Sequence, residues 1–432
     1  MRKLILFALI LPLFFGSCSD DEGTITPPPP PPPPLPELTD NILVYDTNLM
    51  HEDHAVLVVE NGSTLSYLVN KEGERLFTWE FTSKLGNDLN LLPDGRVLGI
   101  FKSESPTIMF GGWGGIARII EPDGTIVWEY EVNTSHLIAH HDVEMLPNGN
   151  VLIMVWEKID EAEAQEAGAK VTTEVVVEKL IEVNPETDEV VWEWRSWDHI
   201  IQDKDDTFPN FGSVSDNPQL LDINFLNAIN GDIMHANGID YDEDRDVIFL
   251  SVNFWNEIWV IDHSTTTAEA TGSTGGNYGK GGNLVYRFGN PETYKNPNGL
   301  KRFDRNHFPN LLEGDEPGAG NVLVYVNGNS ILQSTIYELD IPENFELLPN
   351  QDNEPTVVWS FTDPELFAGR TSGATRLSNG NTLICESDFG YWEVTPDGEV
   401  AWQYTEEIEP FFWRGYSFDK GHPALEALGI AL

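Results

Sequence analysis

MLPNGNVLIMVW at residues 145–156, followed by IEVNPETD at 181–188 and Val191-Trp192-Glu193-Trp194, is the stretch that decides the fold. The first segment puts a Pro-Asn-Gly-Asn turn between two apolar runs, which is a hairpin signal. The second is a strand ending in a turn, and the third is a strand with paired aromatics. Together they read as strand, tight turn, strand, long loop, strand, turn, strand: a four-stranded meander.

The same arrangement recurs along the chain. Its aromatic strand returns as Thr78-Trp79-Glu80-Phe81, Val127-Trp128-Glu129-Tyr130, Val285-Tyr286-Arg287-Phe288, Val358-Trp359-Ser360-Phe361 and Ala401-Trp402-Gln403-Tyr404. Tight turns recur in LLPDGRVLGIF (91–101), IDYDEDRDVIFLSV (239–252) and RLSNGNTLICES (376–387). A lone four-stranded sheet cannot bury both faces, whereas six set radially can, with large aromatics between neighbours. The sequence therefore predicts an all-β fold, a six-bladed β-propeller with four-stranded antiparallel blades over residues 41–432. Compact propeller repeats run to about 40–45 residues. The excess falls in loops at 157–170, 197–234 and 265–283, where function is usually grafted.

Charge narrows the partners. The 432 residues carry 24 Lys and Arg against 71 Asp and Glu, a formal net charge of −47. Such a field repels phosphate backbones, so no nucleic-acid partner is expected. The two cysteines, Cys18 and Cys385, predict no internal disulfide, because the first lies at a targeting segment. Met1-Arg2-Lys3 is a basic start, Leu4 to Phe15 is apolar but too short to span a bilayer, and Phe-Gly-Ser-Cys18 closes the segment. The layout resembles a bacterial lipoprotein signal peptide over 1–17, with Cys18 the lipid-bearing residue. The acidic run Ser19-Asp20-Asp21-Glu22 and eight prolines at 27–34 make 18–40 a linker. In polyproline II it would hold the body roughly 25 Å off a membrane. An exported lipoprotein of the cell envelope, at the outer membrane or cell surface, is expected, touching membrane only through its N-terminal lipid.

The first strand of each propeller blade lines the central channel, so residues that begin it converge on one mouth. Counted back from the tight turns, those residues are Asn87, His141, His235, His307 and Ser372. Three successive blades thus offer a histidine to one axial pocket, although any one of the three could serve alone as a hydrogen-bonded core residue. Asn237, two residues after His235, shares its strand face. Arg305, Arg370, Lys280 and Arg414 are cations within reach of that mouth. GGWGG (111–115) and GKGG (279–282) do not match a phosphate-cradling loop, and DEDRD (242–246) lacks calcium-loop spacing.

HHDVEMLPNGN (140–150), WRSWDHIIQD (194–203), HANGIDYDEDRDVIFLS (235–251), EIWVIDHSTT (257–266), NHFPNLLEGDEPGAGNVLVYVNG (306–328) and SGATRLSNGNTLI (372–384) resemble the PAPS-independent aryl-sulfate sulfotransferases. The resemblance implies a sulfuryl group moved from a phenolic sulfate ester to a phenolic acceptor through a sulfohistidine, without a cofactor. It implies His307 as nucleophile, His235 and His141 as accompanying catalytic residues, and Asn237 as the Asn of an H-x-N motif. Asn253, Arg370, Ser372 and Arg305 complete the expected substrate-binding set, with no metal. The chain departs from the family at two places. The Arg expected 18 residues after the H-x-N histidine is Asn253, and the expected His-Asp is His307-Phe308. A rate lower by about tenfold or more is expected unless Arg305, Arg370 or Arg414 substitutes, since charged hydrogen bonds exceed neutral ones by about 1 kcal/mol. Two other readings stay open at this level: a non-catalytic surface propeller binding glycans or partner proteins, and a metal site built on the three imidazoles.

Overall fold

The computed structural model describes residues 36–432 apart from 228, 409 and 410. Cys18, the signal peptide 1–17 and all but the last few residues of the 18–40 linker lie outside them. The compact body runs from Leu38 to Leu432.

Its strands form six antiparallel sheets whose order follows the predicted meanders, and a small parallel pair, Ile200–Ile201 with Leu221–Asp222, lies in the long loop that follows blade three. Blades two to five each use consecutive strands, with innermost members Leu85–Leu91, Leu137–Met145, Ala236–Asp242 and Asn306–Leu311. Blade six starts at Gly373–Arg376. Blade one is built differently. Its inner strand is Phe411–Asp419, from the chain's C-terminal end, paired with His54–Asn61. Ile42–Tyr45 in turn adds a fifth strand to the outer edge of blade six, against Val400–Thr405. Strands from both ends of the body thus complete the two blades at which the ring closes.

The tight turns have the predicted chemistry. Leu146 N–H donates to Asn150 O at 2.9 Å and Gly149 N–H to Leu146 O at 2.8 Å, with Gly149 at φ +84°. This left-handed residue completes a three-residue hairpin loop, and glycine takes it without steric cost. The buried apolar residues fall into six large clusters, one for each interface between neighbouring blades. Each sheet face is therefore covered by the next sheet.

In five of the six blades the repeated aromatic of the outer strand is a clasp, the exception being Trp79 of blade one, whose Nε1 has no partner among the described residues. Trp128 Nε1 donates to Asp188 Oδ1 (3.0 Å), Trp192 to Thr265 Oγ1 (3.1 Å), Trp359 to Pro396 O (2.9 Å) and Trp402 to Lys71 O (2.8 Å). In blade four Tyr286 Oη donates to Asn353 O. Each acceptor lies in the next blade, so one residue type supplies both apolar area and a directional bond across the interface.

Candidate functional site

Four inner strands break register near the mouth of the channel, between Leu85 and Leu89, around His141, between Ala236 and Gly238, and between His307 and Pro309. His141 (φ +51°), His235 (φ +54°), Arg305 (φ +63°), Phe308 (φ +51°), Thr371 (φ +48°) and Ser372 (φ +83°) all have left-handed backbone. Bulges of this kind re-aim side chains, and strained φ gathered in one place marks a functional region.

The kinks bring the histidines together. The His141 and His235 rings meet edge to face at 5.1 Å. His235 lies flat on Phe254 at 4.6 Å, and its Nδ1 is 2.6 Å from Asp232 Oδ2. Burial, and after it the neighbouring His235, His140, His307 and Arg414, holds the His141 imidazole well below its ordinary range. His54 is elsewhere. It opens the second strand of blade one, bonded to Ser417 Oγ at 2.8 Å, because the inner strand of that blade comes from the C-terminal segment.

The protonation of His307 follows from its neighbours. Asn327 Nδ2 donates to Ala368 O at 2.7 Å and Thr371 O at 3.2 Å, which makes Asn327 Oδ1 the acceptor facing His307 Nδ1 at 2.7 Å. His307 therefore carries its proton on Nδ1. Its Nε2 holds a lone pair, which accepts the Thr371 N–H at 3.1 Å. Burial, followed by the charges of His235, Arg414 and Arg305, lowers its pKa to about 3 against the raising effect of the Asn327 bond, so the ring is neutral near pH 7.

Of the four cations expected at the mouth, the structure brings Arg305 and Arg414 to the histidines in different roles. Arg414 is fully buried on the inner strand of blade one. It donates to Asp142 Oδ2 at 2.7 Å and to Asn237 O at 2.8 Å, with Asp88 3.5 Å away. It is a neutralised plug under the site, and the axis beyond it opens into a cavity of about 140 Å³ lined by Asp142, Glu144, Asp240 and Tyr416 among others. Arg370 is exposed, paired with Asp388 at 3.0 Å and stacked on Phe411. Lys280 Nζ donates to Val285 O at 3.3 Å. Arg305 is half-buried over Phe254 at 4.4 Å and has no ion pair among the described residues; its Nη1 donates to Asn253 Oδ1 at 3.1 Å.

The expected amide and hydroxyl groups act chiefly on backbone. Asn237 Nδ2 and Asn253 Nδ2 both donate to Asn306 O, at 2.8 and 3.1 Å, and so hold the strand that carries His307. Ser372 Oγ accepts Ser387 N–H at 3.1 Å and braces the loop whose Thr371 amide faces His307. Sequence reasoning missed Asp232, His140, Glu178, Asn327 and Thr371. The doubled histidine at 140–141 was a usable signal, but the others reach the site from separate strands and loops. Among the described residues no group of three His, Cys, Asp or Glu side chains is arranged to hold a metal ion.

The family model for arylsulfotransferase (ASST) matches residues 42–308, a span that includes His141, His235, Asn237, Asn253, Arg305 and His307. Arg370 and Ser372 lie beyond it. No curated protein matches the chain. Among solved structures, a protein of unknown function from Bacteroides caccae is 12% identical, with 85% of this chain and 99% of that chain covered and a TM-score of 0.48. A putative 6-phosphogluconolactonase from Bacteroides fragilis is 11% identical, covering 85% and 98%, with a TM-score of 0.40. Hydrazine synthase from Kuenenia stuttgartiensis is 13% identical, covering 67% and 69%, with a TM-score of 0.37. These likenesses carry no functional argument.

Proposed function

The chain belongs to the arylsulfotransferase family, and on that premise we propose that it moves a sulfuryl group from a phenolic sulfate ester to a phenolic acceptor through a sulfuryl-His307 intermediate. The observation that carries this reading is the fixed tautomer of His307, a neutral ring with Nδ1–H held by Asn327 and its lone pair on Nε2. A neutral imidazole nitrogen is a competent nucleophile that splits one hard displacement into two easier ones.

In the first half-reaction the Nε2 lone pair forms a bond to sulfur as the ester S–O bond breaks. The electron pair leaves on the phenolate oxygen, which takes a proton from His141 or His235. The Thr371 N–H, released from Nε2, is placed to donate to a sulfuryl oxygen. Arg305 is the cation available to the sulfuryl oxygens and takes over from the family Arg absent at Asn253. Asn237 and Asn253 serve by placing His307 and Arg305. In the second half-reaction the acceptor phenol loses its proton and its oxygen bonds to sulfur. The N–S bond then breaks and its electron pair returns to Nε2.

The same reading sets the enzyme at the cell envelope, tethered by a lipid on Cys18. The supports are the basic, apolar and Cys-terminated order of residues 1–18 and the proline stalk that follows.

Mass spectrometry after brief exposure to an aryl sulfate is the test. An acid-labile gain of one sulfuryl group on the peptide containing His307 is expected, discharged by added phenol and absent from His307→Ala. Phenol release that is equally fast without acceptor would make the protein a hydrolase. No covalent species with any aryl sulfate, together with ligand binding that survives His307→Ala, would instead favour a binding propeller.

A further inference from the structure

His140, Glu178 and Trp156 form an enclosed group behind His141. The His140 ring is fully buried and stacked on Trp156 at 4.1 Å, with 9° between the planes. Its Nδ1 lies 2.8 Å from His141 Nδ1, and its Nε2 lies 3.1 Å from Glu178 Oε2. Two imidazole nitrogens at 2.8 Å share one proton, which locks the tautomers of the two rings together. If His141 holds Nδ1–H, its Nε2 is bare, and His140 carries its proton on Nε2 facing an ionised Glu178. If His140 holds Nδ1–H, His141 carries Nε2–H, and the bare His140 Nε2 faces a protonated Glu178. The two states differ by a single proton.

We propose that Glu178 and His140 form a proton relay that makes His141 Nε2 an acid in one half-reaction and a base in the other. This rests on the transferase reading and extends it to two positioning residues that touch no substrate. As the donor's S–O bond breaks, the departing phenolate takes the proton from His141 Nε2. The Nδ1 proton of His140 moves to His141, and the Glu178 proton moves to His140 Nε2. When the acceptor phenol gives up its proton to His141 Nε2, each step reverses and Glu178 is reprotonated. One turnover leaves the relay as it began, and neither ring becomes an imidazolium.

The surroundings favour this route over a charged histidine. Burial holds both imidazoles well below their ordinary range. Burial also pushes the Glu178 carboxyl up to about 8, so it exchanges a proton near neutrality. Its other oxygen accepts Ala236 N–H at 2.7 Å, which ties the carboxyl beside His235. The charged groups facing the relay are Asp232 and His235 towards Glu178 and His140, Asp142 towards His140, and His235, His307 and Arg414 towards His141. His140 Nε2, Glu178 Oε2 and Trp156 Nε1 are enclosed without an aligned partner. A proton on Oε2 and a small ring tilt convert the 3.1 Å contact into a hydrogen bond.

Glu178→Gln keeps an acceptor for Ala236 N–H and cannot ionise. Histidine side-chain 15N spectra of the wild type should show His141 Nε2 losing its proton as pH rises through about 8, while in E178Q that nitrogen stays protonated. In the first half-reaction, read as formation of sulfuryl-His307 without acceptor, E178Q should slow reaction of phenyl sulfate about a hundredfold yet change that of 4-nitrophenyl sulfate by less than about threefold, because 4-nitrophenolate leaves without needing a proton. His140→Phe, which keeps the stack on Trp156, should give the same dependence on leaving group. Equal slowing of sulfuryl-His307 formation from both esters, or a His141 titration unmoved by E178Q, would overturn the relay. A wild type that forms no sulfuryl-His307 would overturn the transferase reading, and the spectra would still decide whether the coupled proton exists.

Discussion

Arg305→Ala removes the cation beside the histidines that has no ion pair among the described residues. A charged hydrogen bond contributes about 1.5–3 kcal/mol more than its absence. At about 1.4 kcal/mol per factor of ten, kcat/KM for an aryl sulfate should fall by roughly 10- to 150-fold. The assay is release of 4-nitrophenol from 4-nitrophenyl sulfate with a phenol acceptor, beside a thermal melt to show that the fold persists. Arg305→Lys should lie between wild type and Ala, because an ammonium keeps the charge but loses the planar fork and the stack on Phe254. Adding Asn253→Arg to Arg305→Ala should restore most of the rate, since it returns the guanidinium to the position where the family carries it. If Arg305→Ala stays within about twofold of wild type, the charge has no part in sulfuryl binding and the compensation argument fails.

Two further outcomes follow from the geometry. Gly112 is at φ +92°, and a Cβ there would meet His141 Nε2 and Cε1 at 2.0 Å; Gly112→Ala should cut turnover at least about tenfold, since small misplacements of catalytic groups are costly, and unchanged kinetics would show that the His141 ring can shift freely. Stability should fall as pH rises from 6.5 to 8.5. Burial raises the carboxyls of Asp88, Glu178, Glu354 and Glu386 to about 8, so their stabilising proton is fully present below the unfolded value near 4 and is lost as pH passes through 8. His54, His140 and His141 are depressed by burial and work the other way, costing stability as pH drops below about 6.5. A melting midpoint that climbed between pH 6.5 and 8.5 would contradict this balance.

Much of the site was legible because the repeat supplied a coordinate system. Counting back from the tight turns put His141, His235 and His307 on the inner strands of three successive blades, and the structure sets His141 within Leu137–Met145, His235 directly before Ala236–Asp242 and His307 within Asn306–Leu311. Blade one offered no such count, because its inner strand is contributed from the other end of the chain. Arg414, which reads as a residue following the last blade, instead plugs the axis between Asp88 and Asp142. Asn253 read as a lost Arg, and so as a weakened enzyme unless Arg305, Arg370 or Arg414 substitutes. The structure sets Arg305, 52 residues later, against Asn253 through a side-chain hydrogen bond of 3.1 Å, a neighbourhood that no linear spacing displays.

The sequence by itself determined the six-fold meander, the turn chemistry and the side chains available at the mouth, because those depend on alternation and on residues a few positions apart. Tertiary structure alone decided which nitrogen of His307 carries the proton, which arginine near the histidines lacks an ion pair among the described residues, and that Glu178 stands behind His140. Those properties are set by groups from different blades brought within about 3 Å, where burial and hydrogen-bond direction, rather than residue type, fix the charge.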